Sequence, residues 1–600
     1  MNETLADLAK GRFSDLTEAE RRVLEAATIG NPAICGPNGK DDDPWNDPNN
    51  SDGWHASRII RTEFLEWLCT TDSVSAKVNR QGVHIYAGRI TGILRFAYST
   101  IPFPLLFQLC AFTEDISFKN ACIPSLIFTS CRTYAILADG IDVANNVLMN
   151  GKFHSSGQVL FRNAKIGGDF RTEGGTFDCG PGTSFDLRTG NALGCDRIRV
   201  NGSVFLSQSA SPSRFCGEVG FAGAWVGSNF ECDGGTFRNP GKFAIRADRI
   251  TVVGSVFLRN KFSAEGAVRL LNLKAETLDC TRGSFVGDGL SALNAEGATI
   301  AGIATFDSSS ASSGETQLRG IEARDVSCLH GEFDKVDLRQ ASIHRVFRWK
   351  EVIGPEETDL DLKNAKIGSI EDDESSWPHY GYLHLEGLSY EEFTNCVRDI
   401  HARLQWIERD SSPSSRTYKQ LAYVYSKAGE TSYAREALFC LEELIHRKQT
   451  SSITPRLFKP FLAVWSQWLK WTIGYGYKLE RAFIWMLVLT GVGVVVSAWG
   501  YRERVIVPTE EKAYVYFEAQ GQPPSSYQRF SSLMYSVEHS VPAINLGISG
   551  SWTANPTTQP PGRPEFSYHL RWWFWVQTLL GWGLSIFFIA GLTGLVKSDR

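Results

Sequence analysis

The sequence predicts a mainly β protein: a parallel β-solenoid (right-handed β-helix) with a helical N-cap, a helix-turn-helix adaptor and a two-helix transmembrane unit. Three observations carry this. The stretch Gly157 to Phe177 (GQVLFRNAKIGGDFRTEGGTF) matches Gly217 to Phe237 without gaps at 10 of 21 positions, at an offset of 60 residues. A second phrase, Ala138 to Phe153, lies ungapped on Ala247 to Phe262 at an offset of 109. Two long uncharged runs stand near the C-terminal end. Short apolar–polar alternation broken by glycine indicates strands joined by tight turns, and recurrence at fixed spacing indicates a stack of coils.

Residues 1–77 read as a helical cap and a polar loop. In LTEAERRVLEAA, Thr17 is placed to cap a helix and Glu20 to supply the capping-box acid three residues on. The loop from Gly36 to Gly53 carries Asp41, Asp42 and Asp43; its spacing is not that of an EF-hand, and it reads as a solvated loop. Arg58 to Cys69 has helical apolar spacing at Ile59, Phe64, Leu65 and Leu68, as a cap over a first coil would.

Residues 78–390 are assigned to the solenoid. Phe170, Phe205, Phe230, Phe257 and Phe306 are aligned as one inward ladder, with Leu278 substituting once. About 20 to 30 residues suffice for a coil of three short strands and three corners. Gly167, Gly168, Gly202, Gly227 and Gly254 are placed at corners that need positive φ or close backbone approach. Neither the six-residue period of left-handed hexapeptide acyltransferases nor the recurring acidic cluster of polysaccharide lyases is present. Cys179, Cys232 and Cys280 follow the repeat's aromatic and read as buried ladder positions rather than redox or metal sites.

Residues 391–450 read as a helical adaptor. Tyr418, Leu421, Ala422, Tyr425, Gly429, Ala434, Ala437 and Leu438 follow a tetratricopeptide-like hairpin pattern, in which small residues let two helices cross. Residues 451–481 read as an interfacial slide helix, with Trp465, Trp468 and Trp471 as headgroup-level anchors.

In the last unit, 482–600, Ala482 to Trp499 is 18 residues without a charge and Trp572 to Val596 is 25. Each is long enough to cross a hydrocarbon core of ~30 Å. Arg447, Lys448, Arg456, Lys459, Lys470, Lys478 and Arg481 precede the first run, and Lys597 and Arg600 follow the second. The positive-inside rule then places both termini and the solenoid on the cytoplasmic side of the membrane. All 13 cysteines lie between Cys35 and Cys440, which agrees with a reducing compartment for that part. Gly581, Gly583, Gly591 and Gly594 in the second run are candidate gating hinges.

Between the runs, Phe530 to Gly547 is amphipathic through Leu533, Met534, Val537 and Val541, is broken at Pro542, and is too short to cross. Helix, short descent, helix is the order of two-span channels. On that reading Glu538 and His539 face a pore entrance and Asn545, Leu546 and Gly547 form a filter-like turn, while conduction requires a homo-oligomer, a tetramer by analogy. The alternative is a non-conducting scaffold that binds protein partners through the solenoid or the hairpin.

Other classes find no support. A net charge of −5 among 127 ionisable side chains gives no electrostatic reason for a nucleic-acid partner. No GxGxxG opens a helix after a strand and no CxxC or zinc-spaced Cys/His group occurs, so no enzyme activity and no cofactor are expected.

With these marks the chain resembles a bacterial family of membrane-anchored β-solenoid proteins, pentapeptide-repeat-like and sometimes labelled membrane-associated oxidoreductases. The marks are Leu16-Thr17 with Ala19-Glu20-Arg21, Cys35-Gly36, Arg61 to Cys69, Ile166-Gly167-Gly168, the Tyr418 to Leu438 hairpin, Tyr475-Gly476 with Arg481-Ala482, and Pro542 with Leu546-Gly547. The resemblance implies a cytoplasmic-membrane protein with its solenoid inside the cell. It supplies no residues for an oxidoreductase activity, and a strict five-residue period occurs only in fragments such as Phe333 to Gln340.

Overall fold

The computed structural model describes residues 4–179, 190–209, 211–452, 467, 471, 479–541, 544–555 and 566–592. The chain divides into two compact units, Met1–Gln420 and Leu421–Arg600.

The first unit is a parallel β-solenoid of about 13 turns. One inward ladder runs its whole length: Val83, Leu105, Leu126, Val147, Phe170, Val204, Phe230, Val256, Leu278, Ala304, Val326, Phe347, Ile370 and Phe393 pair in register. All of them are buried. The expected ladder is thus corrected at three positions. Phe205 and Phe257 sit one residue outward of Val204 and Val256, and Phe306 sits two past Ala304, at the next corner. The outward rings are covered by guanidinium groups, with Arg171 Cζ 4.4 Å from the Phe205 centroid and Arg259 Cζ 3.9 Å from that of Phe257. Where Val and Phe are adjacent, a period of two cannot say which points inward; the arginine partner decides it.

Neighbouring strands fuse further along, as in Thr236–Arg246 and Thr299–Thr305, but between Leu105 and Val226 each coil contains four short strands rather than three. In one coil these are Leu126–Thr129, Arg132–Thr133, Ile136–Leu137 and Asp142–Val143, which pair with Val147–Asn150, His154–Ser155, Val159–Leu160 and Lys165–Ile166 of the next. The sequence offsets of 60 and 109 correspond to two and four coils along this register. Phenylalanines stack up a second inward row, with ring centroids of Phe177, Phe215 and Phe237 4.9 Å apart and nearly parallel. Burying each ring contributes about 1.5–3 kcal/mol, so the row is a principal source of stability.

The corner glycines act by close approach, not by positive φ. A Cβ at Gly167 would lie 2.0 Å from Ala144 O, and one at Gly227 2.2 Å from Asn201 O, in the coil before. Positive φ falls instead at a different corner, at Asn163, Arg197, Gly223, Arg249, Asn272 and Gly297 in successive coils. Cys232 and Cys280 are fully buried ladder residues. Cys179 follows Phe177, on another face, and is only half-buried, while Cys122 and Cys216 are exposed.

Both solenoid ends are closed. Helix α1 (Leu5–Arg12) opens the chain, and α2 (Glu18–Ile29) carries the capping box formed by Thr17 and Glu20. The fully buried Glu20 carboxylate also accepts from Arg61 Nε at 2.8 Å and Arg61 N at 3.0 Å. Pairing begins already at Ala33–Ile34 and Ile59–Arg61, which join Ile85–Tyr86 and Arg89–Thr91. The β-branched Ile59–Ile60 pair therefore extends the ladder, and helix α3 starts only at Thr62 (Thr62–Thr70), with the short α4 (Asp72–Ser75) after it. The polar loop folds back on the first coils, where Asp41 accepts from Tyr86 Oη at 3.0 Å and Gln108 Nε2 at 2.9 Å. At the far end, α5 (Ile400–Glu408) brings Arg403 onto Asp372. Both are buried; Nη1 and Nη2 donate at 2.8 and 2.6 Å, and Trp377 Nε1 adds a third bond to Asp372 at 2.8 Å.

The unit boundary falls inside α6 (Ser415–Lys427). In the second unit, Gly429 at φ +83° turns the chain into α7 (Thr431–Ser452). Ala422 and Ala434 are buried there, and Tyr425 meets Tyr433 edge-on. Then come α8 (Leu479–Arg502), a strand Ile506–Pro508, α9 (Glu511–Gln520), α10 (Ser532–Ser540), α11 (Ile548–Ser551), a strand Trp552–Ala554 and α12 (Phe566–Leu592). Among the described residues one helical segment, Glu480–Arg502, is long and apolar enough to cross a membrane.

Candidate functional site

Helices α8 and α12 run antiparallel beside each other along nearly their whole lengths. A Cβ at Gly500 would meet Leu570 Cδ2 at 2.7 Å, one at Gly493 would meet Gln577 Nε2 at 2.2 Å, and the rings of Phe483 and Phe588 are 6.1 Å apart. Their outer faces expose Phe483, Leu487, Val488, Val492 and Val495 on α8, and Trp572, Trp575, Leu579, Trp582 and Ile586 on α12.

α10 packs against both helices and stops halfway. Ser497 Oγ of α8 donates to Ser532 O at 3.2 Å, and Ser536 Oγ donates to Thr490 O at 2.7 Å, so α10 is antiparallel to α8. Seven residues of α8 separate these contacts, about 10 Å of rise. The chain then returns to where it started: Ile506–Pro508, just after α8, pairs antiparallel with Trp552–Ala554. A cluster of buried side chains, with Val505, Phe517, Tyr535, Trp552, Leu570 and Phe574 at its centre, fastens the returning segment.

The seam among the three helices is polar and made of small residues. Gln577 is fully buried, with Nε2 2.8 Å from Ser540 Oγ and 2.9 Å from Ser536 Oγ, and its Oε1 accepts from Trp573 Nε1 at 3.0 Å. Ser497, Ser536 and Ser540 are fully buried too. Gly493 and Gly581 leave room for the crossing, since a Cβ at Gly581 would lie 2.3 Å from Ser540 O. The three helices are thus joined by close approach at small residues and by hydrogen bonds of hydroxyl and amide side chains.

On α10 the polar side is the packed one. Leu533 and Met534 are exposed, and Tyr535, Ser536, Glu538 and Ser540 are buried. Ser532, Ser536 and Ser540, spaced by four, and the lone Gln577 in an apolar run are the sequence signal for this seam, which apolar patterning passes over.

Glu538 is buried beneath the turn that follows α10. One carboxylate oxygen accepts from the Leu546 N–H and the other from the Ser549 N–H at 2.5 Å, which holds residues 546–549 against the helix. His539 lies over Tyr535 and Phe574, centroids 4.5 and 5.0 Å away, with Nδ1 2.9 Å from Tyr535 O. Asn545 Oδ1 accepts from the Gly547 N–H at 2.9 Å, and Gly547 is left-handed at φ +79°. Pro542 lies outside the described residues.

Of the candidate hinges, Gly581 is in the seam, Gly583 faces open space, Gly591 is in the last turn of α12, and Gly594 lies outside the described residues. Of the candidate anchors, Trp465 and Trp468 also lie outside them. Trp471 is exposed, and its carbonyl accepts from Trp485 Nε1 at 3.1 Å. Among the described residues no group of three or more His, Cys, Asp or Glu is arranged to hold a metal ion.

No protein-family model matches the chain, and no curated protein or solved structure matches it. The resemblance to membrane-anchored β-solenoid proteins therefore stands on the sequence marks alone.

Proposed function

We propose that the second unit is embedded in a bilayer, with α8 and α12 as its two spans and α10 as a re-entrant helix, and that copies of the chain assemble into a channel. The observation that carries the reading is the antiparallel course of α10 along part of α8, followed by the return of Trp552–Ala554 to Ile506–Pro508. Irregular backbone at membrane depth is tolerated where it is enclosed by protein or lines a water-filled path. The antiparallel match of α12 to α8 and its apolar outer face support the second span.

Two spans enclose no pore, so the conducting form is a homo-oligomer, a tetramer by analogy with two-span channels. Both termini and the solenoid are cytoplasmic on this reading, and the solenoid or the α6–α7 hairpin receives a protein partner. The test is reconstitution of the full chain in lipid vesicles with ion-flux recording. Flux above that of empty vesicles is expected; its absence at every voltage and lipid composition overturns the channel.

A second reading has its own support. Both oxygens of Glu538 are engaged by the turn, which suits a rigid membrane anchor for a scaffolding solenoid. An anchor predicts no flux and full partner capture by the solenoid.

A further inference from the structure

Resting on the channel reading, we infer that the conducted species is a cation and that the main-chain carbonyl oxygens of Ile544, Asn545 and Leu546 coordinate it.

The first observation is how the turn distributes its hydrogen-bonding groups. Its N–H groups are directed inward: Ile544 donates to Val541 O at 2.9 Å, Leu546 and Ser549 to Glu538, and Gly547 to Asn545 Oδ1. The carbonyl oxygens of Ile544, Asn545 and Leu546 accept nothing among the described residues, and all three residues are exposed. Four of the turn's N–H groups are claimed and these three carbonyls are free, while among the described residues the N–H groups of Asn545 and Ile548 have no acceptor. The turn therefore presents more free oxygen lone pairs than free donors, which suits replacing the hydration shell of a cation better than receiving an anion. Free carbonyls at half depth cannot face lipid, so they need water or an ion.

The second observation is charge. From Phe530 to Gly562, Glu538 is the sole Asp, Glu, Lys or Arg. Its carboxylate stands directly behind the turn, bound to that turn's own amides. The C-terminal end of α10, with its partial negative charge, is directed the same way. His539 does not oppose this, because its ring is packed on Tyr535 and Phe574.

The test is the reversal potential of the full-length protein in phosphatidylcholine–phosphatidylglycerol vesicles under a potassium chloride gradient. A permeability ratio of at least about tenfold for potassium over chloride is expected. Glu538→Gln should bring that ratio towards one, Glu538→Asp should retain it, and Gly547→Ala should disturb it by moving the carbonyls without altering charge. A chloride preference, or a cation preference unaltered in both Glu538→Gln and Gly547→Ala, overturns the inference while leaving a channel. No flux at all overturns the channel reading and the inference with it.

Discussion

The two units of this protein differ in what they hide, although the second also buries an apolar cluster around Trp552. In the solenoid the ladder from Val83 to Phe393 is apolar and hidden, and the surface carries ion pairs such as Arg162–Asp139 at 2.7 Å and Arg246 with Asp196 and Glu218 at 3.0 and 2.6 Å. In the second unit the hidden seam is Ser497, Ser536, Ser540 and Gln577, and the surface of α8 and α12 is Val, Leu, Ile and Trp. On the proposed membrane-embedded reading the contrast is one of solvent: water makes apolar burial the driving force, whereas hydrocarbon would remove that force and leave close packing and hydrogen bonds to join helices.

Substitutions at matched positions should break this contrast if it is wrong. Phe215→Ala, in the stacked row, should lower the stability of the solenoid by about 3–5 kcal/mol, read by thermal denaturation of the full chain in detergent. Leu579→Ala, exposed on α12, should shift the same curve hardly at all. Equal effects would mean that α12 is a core helix of a water-soluble unit.

Arg403→Met should cost about 3–5 kcal/mol, because the buried Asp372 carboxylate would keep only Trp377 as a donor. The double variant Arg403→Met with Asp372→Leu should recover much of that loss. Gln577→Leu should cost about 1–2 kcal/mol, by taking their partner from Ser540 Oγ and Trp573 Nε1 in the seam, and an unchanged melting curve would show that the three helices do not meet there.

The smallest effect concerns acid. Burial raises the Asp337 carboxyl, but the hydrogen bonds and charge of Arg339 outweigh it and hold the group below the usual carboxylate range. A carboxyl lowered by folding contributes stability above its unfolded pKa of ~3.9 and loses that contribution as pH falls through the folded value. Asp337→Asn should therefore flatten the decline in solenoid stability below pH 4. A decline as steep as in the wild type would remove Asp337 from the account.

Much of the solenoid was legible in the sequence because its repeat is long and its inward residues are apolar. The register was legible only where a single apolar residue alternates with polar ones. At Val204-Phe205 and Val256-Phe257 both neighbours are apolar, and Arg171 and Arg259, which hold the rings outside, are 34 and two residues away from them in the chain. Four strands per coil were hidden because strands of two residues carry no pattern. Thr17 and Glu20 were readable, since a capping box is wholly local. In the second unit the long apolar run of α8 and the break after Val541 could be seen. The seam could not, since an amphipathic reading assumes that apolar faces turn inward. Glu538 is placed at an entrance in the sequence by analogy with the order of two-span channels; its bonds to the Leu546 and Ser549 amides are visible only in the fold.

The most direct test of the account asks whether the segment between α8 and α12 descends and returns. The second unit contains no cysteine after Cys440, so Gly521→Cys and Asn555→Cys can each be introduced and challenged in intact cells with a membrane-impermeant maleimide, with the native cysteines replaced by serine or alanine. The account predicts that both sites are labelled from the same side, the one opposite the solenoid. Labelling of one from outside and the other only after lysis would mean that the segment crosses, and would contradict the re-entrant unit on which the proposed function rests.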